Sequence, residues 1–179
     1  VIIIINDKLK LMKNDKLKMY RFDEAELQKV FEALDKDSNE KMKLFFLLSA
    51  TTGLRANQVL SLQFDDIDER ASTLSITTSE QNTDEQNKLE VAIKPSVLTV
   101  LKKEKELNPT DTYIFESKKS NNVINQKSIT LSRQAVNRAF SKANMSTGSS
   151  ITPRELRQMY REKFLASVKN QAGHFLPKK

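Results

Sequence analysis

The chain has 179 residues, 38% hydrophobic and 30% charged, with 30 Lys and Arg against 23 Asp and Glu for a formal net charge of +7. That length is one ordinary domain or one domain with a small appendage, and the basic excess favours a polyanionic partner; on charge alone, a merely solubilising basic surface stays open. With no Cys and a single His, disulfides, thiolate nucleophiles, Cys-based zinc sites and multi-histidine metal sites are excluded, and the lack of disulfides fits a cytoplasmic protein.

The opening "VIIIIND" is apolar for only five residues, far short of the about 20 that a spanning helix needs and of a signal peptide's apolar stretch. "NDKLKLMK" and its near-copy "NDKLKMY" follow. Two units are too few for a repeat architecture, so residues 1–19 read as a basic arm or linker. The first residue is Val rather than Met, which suggests a piece of a longer protein.

Organised structure is predicted from "RFDEAELQKVFEAL" onward. Asp23 with Glu26 three residues later marks a helix start, and Leu27, Val30, Phe31 and Leu34 follow helical spacing. "KMKLFFLLSA" is apolar all round, which predicts a central buried helix ended by Gly53; a short helix over Ala56–Leu62 turns Val59 and Leu60 inward. "STLSITT" and "KLEVAIKP" have strand character around a polar tip at 79–88, and so predict an antiparallel hairpin. Ser96 is expected to cap the helix "SVLTVLKKEKEL", stopped at Asn108-Pro109. "TYIF" is a short apolar run and "ESKKSNNVINQKS" a basic, amide-rich loop.

Ser132 is expected to cap "SRQAVNRAFSKA", with Ala135, Val136, Ala139 and Phe140 inward, and "NMSTGSS" reads as a linker. In "ITPRELRQMYREKF", Thr152 is an N-cap, Pro153 suits the first helical position and Glu155 completes a capping box. Leu156, Met159, Tyr160 and Phe164 then form an apolar stripe, while Arg154, Arg157 and Arg161 share another face. The sum is a mainly α fold with one small antiparallel β-hairpin.

Two arginine positions ask for an explanation. In "TTGLRANQVLSLQFDDID" (51–68), Arg55 stands where a buried helix turns a corner. A charge there needs an acid of the protein, with Asp65 or Asp66 at hand, or an anion from outside. Arg154 and Arg157 fall in the first turn of their helix, where exposed N–H groups and the dipole attract anions and disfavour cations. A bound phosphate would give them a reason; a solvated basic face is the alternative.

These stretches resemble the two signatures of the tyrosine recombinases, the phage integrase and Xer-type enzymes. The first carries the Thr-Gly-Leu-Arg core, a polar residue three after the arginine, the Leu spacing and a closing Asp-x-Asp; "TPRELRQMY" sits where the second, Thr-Pro-His-x-Leu-Arg, belongs. The hairpin, the "YIF" run and the Ser-capped basic helix lie between them in the family's order, and the resemblance covers about residues 18–175. It implies the family's DNA breaking-rejoining fold over 20–179, without its separate N-terminal DNA-clamping domain. The implied chemistry uses no metal or other cofactor: a tyrosine attacks a backbone phosphate of duplex DNA, and arginines stabilise the charge on its non-bridging oxygens. It further implies a monomer in isolation, with assembly on DNA open to the full-length protein.

On the same basis Arg55 and Arg157 are the expected phosphate ligands, and Lys88, the lysine of the hairpin tip, the expected general acid; a solvated loop lysine is its alternative. Gln58 stands where the family often has Glu and is expected to orient Arg55. Arg154 replaces the expected histidine, so it holds the phosphate but does not shuttle a proton. His174, in "AGHF", matches the Gly-His motif but lies nearer Arg157 than usual. None of Tyr20, Tyr113 and Tyr160 stands where the nucleophile belongs, with Tyr160 read as packing, and the chain is expected to lack it. Arg133, Gln134 and Asn137 are the expected groove-facing residues, with Lys118, Lys119, Lys127, Arg138 and Arg161 on the DNA backbone. The readings are thus a recombinase catalytic domain truncated before its tyrosine, an inactive recombinase-derived DNA-binding module, or a helical protein-interaction domain whose arginines pair internally.

Overall fold

Helix α1 (Glu24–Ala33) begins at the Asp23 cap, whose Oδ1 accepts from the Glu26 N–H at 2.7 Å. The computed structural model describes residues 22–34, 40–78, 87–117 and 130–174. Leu27, Val30 and Phe31 face inward from α1, as the spacing predicts. They meet α2 (Glu40–Thr52), along which Met42, Leu44, Phe45, Phe46, Leu47, Leu48, Ser49 and Thr52 are all buried. A helix apolar on every side has to be surrounded, and α2 is the centre of the molecule. Phe46 meets Phe31 edge-on at 5.4 Å, and Phe45 meets Phe115 at 5.8 Å and Phe140 at 6.1 Å.

Gly53 ends α2 in the left-handed conformation, φ +68, where a residue with a β-carbon is strained. Helix α3 (Ala56–Leu60) is shorter than the predicted span, its C-cap being Ser61. A 3-10 turn, Phe64–Asp66, leads to the sheet. The sheet has three antiparallel strands in the order β1 (Ile67–Asp68), β2 (Thr73–Thr78) and β3 (Asn87–Ala92). Two expectations change here. The predicted hairpin gains a short edge strand, and β3 starts at Asn87, one residue before the predicted strand run, so that Lys88, which the run and the tip shared, belongs to the strand.

In helix α4 (Pro95–Leu107) the N-cap position falls on Lys94, with no side-chain capping bond, and not on Ser96. Proline takes the first helical position at no hydrogen-bonding cost because its missing N–H would have no partner there. At the other end Asn108 closes α4, and Glu104 is buried beside it, accepting from Asn108 Nδ2 at 2.9 Å. Lys41 at the start of α2 reaches Asp111 Oδ2 and the Glu116 carbonyl, each at 3.1 Å. That cation therefore ties the central helix to the "TYIF" segment, in which Ile114 and Phe115 are fully buried.

Helix α5 (Arg133–Thr147) starts at Ser132, whose hydroxyl accepts from the Ala135 N–H at 3.1 Å. It runs four residues past the predicted end, because Ser146 and Thr147 satisfy their hydroxyls on the Ala143 carbonyl, each at 2.9 Å. Val136, Phe140 and Ala143 form its buried row. Gly148 closes the helix at φ +72. Asn144 then clasps Ile151 both ways, donating to its carbonyl at 2.8 Å and accepting from its N–H at 3.1 Å. So the expected linker is a short, tied corner.

Helix α6 (Pro153–His174) opens with the predicted capping box: the Thr152 N–H donates to Glu155 Oε2 at 2.9 Å and the Glu155 N–H to Thr152 Oγ1 at 3.3 Å. It packs on α2. Leu156 and Met159 are buried, but Phe164 is 56% exposed, against expectation. At 3.6 residues per turn the buried line passes from Leu156 through Met159 to Lys163, and Phe164 is about 80° away from Leu156. Burial lowers the pKa of Lys163, Glu24 opposes that shift and Lys94 adds to it.

Candidate active site

The corner after α2 and the start of α6 converge. Leu54 is buried beyond Gly53, which anchors the turn, and Arg55 is exposed at the N-cap of α3. Gln58 Oε1 accepts from the backbone N–H of Arg55 at 2.9 Å. The expected hydrogen bond between the two residues is therefore present, but it goes to the backbone of Arg55 and caps α3 rather than reaching the guanidinium. Among the described residues no acid forms an ion pair with Arg55. Asp66, one proposed partner, instead accepts from the Gln63 N–H at 2.8 Å.

Arg157 comes to the same corner from α6. Its Nε donates to the Gly53 carbonyl at 2.9 Å. The end of a helix carries partial negative charge on its unpaired carbonyls, so a cation is favourable just past α2. Only Nε is used in this way; among the described residues the two terminal nitrogens of Arg157 form no further hydrogen bond. Burial lowers its pKa first, then the nearby charges of Arg161 and Arg55. Arg161 and Arg55 therefore each lie within electrostatic reach of Arg157.

Among the described residues no acid forms an ion pair with any of the three. Glu155 is engaged in the capping box, and Glu162 Oε1 accepts from Gln158 Nε2 at 2.9 Å. Arg154, Arg157 and Arg161 fall within about 60° of one another around the helix axis; Arg154 and Arg161 are exposed and Arg157 half-buried.

The remaining predicted residues are more scattered. Lys88 is exposed on β3 opposite Thr77. Arg133, Gln134, Asn137 and Arg138 are exposed along one side of α5, away from the row of Val136 and Phe140. Lys118, Lys119, Lys127, Tyr20, residues 1–19 and the hairpin tip at 79–86 lie outside the described residues, as does the side chain of His174. Tyr160 is half-buried with its ring over Gly53, so it packs as expected. The Gly53 carbonyl is the functional group that sequence reasoning missed. The sequence marks Gly53 as a helix terminator and as part of the Thr-Gly-Leu-Arg core, but nothing in the spacing pairs it with an arginine 104 positions away.

Comparison with known proteins puts this corner in context. The phage integrase family profile matches residues 20–174. The chain belongs to the phage integrase family. No curated protein sequence matches this integrase-family chain. Solved structures do: a lambda integrase (75–356) dimer bound to a COC' core site, at 22% identity and TM-score 0.62, covering 93% of this chain and 60% of that one. XerA recombinase matches at 18% identity and TM-score 0.61, covering 84% and 51%. The Tn1549 transposon integrase (aa 82–397), in complex with circular intermediate DNA, matches at 13% identity and TM-score 0.62, covering 86% and 54%.

At these identities the likeness is one of fold, and it is the tyrosine recombinase catalytic-domain fold: mostly helical, with a small three-stranded antiparallel sheet. The integrase-family chain spans 51–60% of the length of these three structures. Among its described residues no three His, Asp or Glu side chains gather as metal ligands, and no helix is long and apolar enough to cross a membrane.

Proposed function

We propose that residues 20–179 form the catalytic domain of a site-specific tyrosine recombinase that grips duplex DNA and holds one backbone phosphate between Arg55 and Arg157, with residues 1–19 as a basic arm. The observation that carries this reading is that Arg157, bonded to the Gly53 carbonyl two residues before Arg55, has Arg55 and Arg161 close to it while, among the described residues, no acid pairs with any of the three. Like charges kept together, one of them partly withdrawn from water, are destabilising unless an anion joins them. A phosphate accepts forked hydrogen bonds from guanidiniums, and the unused nitrogens of Arg157 suit that geometry.

In this reading Arg154 adds a third permanent charge to the phosphate, and Lys88 supplies the proton to the leaving 5′-oxygen. His174 belongs to the same machinery. The exposed row of Arg133, Gln134 and Asn137 enters the major groove, while Arg138, Arg161, Lys118, Lys119 and Lys127 hold the strands. The attacking phenol is assigned to neither described tyrosine. Tyr160 lies over Gly53, and the backbone of Tyr113 bridges to Gln63. One observation favours the second reading, a recombinase-derived DNA-binding module that does not cut. Arg154 occupies the place of a proton-shuttling histidine and stays charged in any realistic site.

A double-mutant cycle on duplex affinity tests the shared phosphate. Arg55→Ala and Arg157→Ala should each weaken binding by about tenfold or more, since a hydrogen bond to a charged group contributes about 1.5–3 kcal/mol. The double variant should lose little beyond the worse single one, because both removals cost the same contact. Fully additive losses, or none, would contradict a common ligand.

A further inference from the structure

We propose that Gly53 and Tyr160 are positioning residues for Arg157: the Gly53 carbonyl holds its Nε, and the Tyr160 ring holds that carbonyl in place. Gly53 has φ +68, a conformation that L side chains rarely adopt. Its carbonyl takes the Arg157 Nε at 2.9 Å. On its other side the space is already filled. A β-carbon at position 53 would overlap Cδ1 of Tyr160 and stand 2.9 Å from Cε1 and 3.3 Å from Cγ. Position 53 therefore requires glycine twice over, once for its backbone and once for the ring against it.

Tyr160 is itself braced. Its ring stacks on Phe164 with centroids 6.5 Å apart and planes 11° from parallel. That contact gives the half-exposed Phe164 a task that the buried stripe does not. Among the described residues the Tyr160 hydroxyl makes no hydrogen bond, so it is the ring that fills the space. Tyr160 and Arg157 are three apart on α6, one turn along one helix. The ring and the guanidinium thus close on Gly53 from the same rigid element. A long arginine side chain loses much rotamer entropy when held. Fixing Nε before the anion arrives leaves only the terminal nitrogens to be aligned, which is preorganisation.

The purpose of the device rests on the phosphate-binding reading, but its existence is tested apart from it. The Nε–Hε signal of Arg157, assigned by nuclear magnetic resonance, reports the bond to Gly53 without any DNA. It should exchange slowly with water in the wild type and in Tyr160→Phe, which keeps the ring. It should move to the fast-exchanging position of a free arginine in Tyr160→Leu and in Gly53→Ala, with the Arg161 signal unchanged in all four. If Gly53→Ala fails to fold, Tyr160→Leu, which retains the glycine, carries the test.

Duplex affinity should follow the same split. Tyr160→Phe should match the wild type, and Tyr160→Leu should lose about tenfold or more, the loss expected for a charged hydrogen bond. An unmoved Arg157 signal in folded Tyr160→Leu overturns the proposal, and so does a Tyr160→Phe variant that behaves like Tyr160→Leu. If the signals split as described while Arg157→Ala leaves DNA affinity intact, the positioning device stands and the phosphate reading falls.

Discussion

Arg157 carries its charge under two adverse circumstances: part of the side chain is withdrawn from water, and Arg55 and Arg161 are close. Both are relieved by an anion, and the Gly53 carbonyl offsets part of them in its absence. Since arginines do not titrate in the usual range, a phosphate held by Arg55, Arg154 and Arg157 should bind equally well from about pH 6 to pH 9. Arg154→His should end that indifference. Its duplex affinity, followed by fluorescence anisotropy at constant ionic strength, should fall as pH rises through about 6.5, where the imidazole loses its proton. A variant as flat as the wild type would place Arg154 away from the phosphate. Much of this corner was legible in "TTGLR" and "TPRELR", which mark both arginines. The sequence was silent on what holds them, because a backbone carbonyl has no letter of its own and Gln58 serves the backbone of Arg55 rather than its guanidinium.

At the scale of the element, helices with strong local signals were predictable and their margins were not. Asp23, Ser132 and Thr152 each act as the cap their side chains suggest. Ser96 does not, because proline one residue earlier starts the helix. The end of α5 was obscured by Asn144, Ser146 and Thr147, residues that look like linker until their side chains are seen bonding back to the helix or forward to Ile151. On α6 the predicted stripe holds at Leu156 and Met159 and fails at Phe164, which is exposed while Lys163 is half-buried.

The half-burial of Lys163 has a thermodynamic signature. The folded pKa of Lys163 lies below its ordinary value, so below that pKa the charged form is penalised on folding. The unfolded chain binds more protons as pH rises from the folded value towards about 10.5, and stability rises with it over that window. Lys163→Met should therefore raise Tm at neutral pH, by at most a few degrees given its partial exposure, and the gain should shrink in alkaline solution. Thermal melts at neutral pH and above pH 10 check both halves of the statement. A variant less stable at neutral pH would show that the contacts of the ammonium outweigh its burial.

Across the whole molecule, one central helix, α2, packs on α4 and α6 and meets α1 and α5 through Phe46 against Phe31 and Phe45 against Phe140, and its C-terminal end opens onto the arginine corner. The all-round apolar run "KMKLFFLLSA" made that centre legible. The relation of the corner to α6 was not, since it depends on a contact between residues far apart in the chain. The net charge of +7 predicts duplex binding that weakens steeply and linearly in log–log coordinates as salt rises, with a slope that counts the phosphates neutralised. Binding insensitive to salt would instead favour a helical protein-interaction domain.

The most direct measurement is a crystal structure of this domain with a duplex bound. A backbone phosphate should lie with oxygens about 2.7–2.9 Å from nitrogens of both Arg55 and Arg157, the length of a charge-assisted hydrogen bond. The Nε of Arg157 should remain on the Gly53 carbonyl. A duplex seated elsewhere, or either guanidinium turned from the phosphate onto an acid of the protein, would contradict the account.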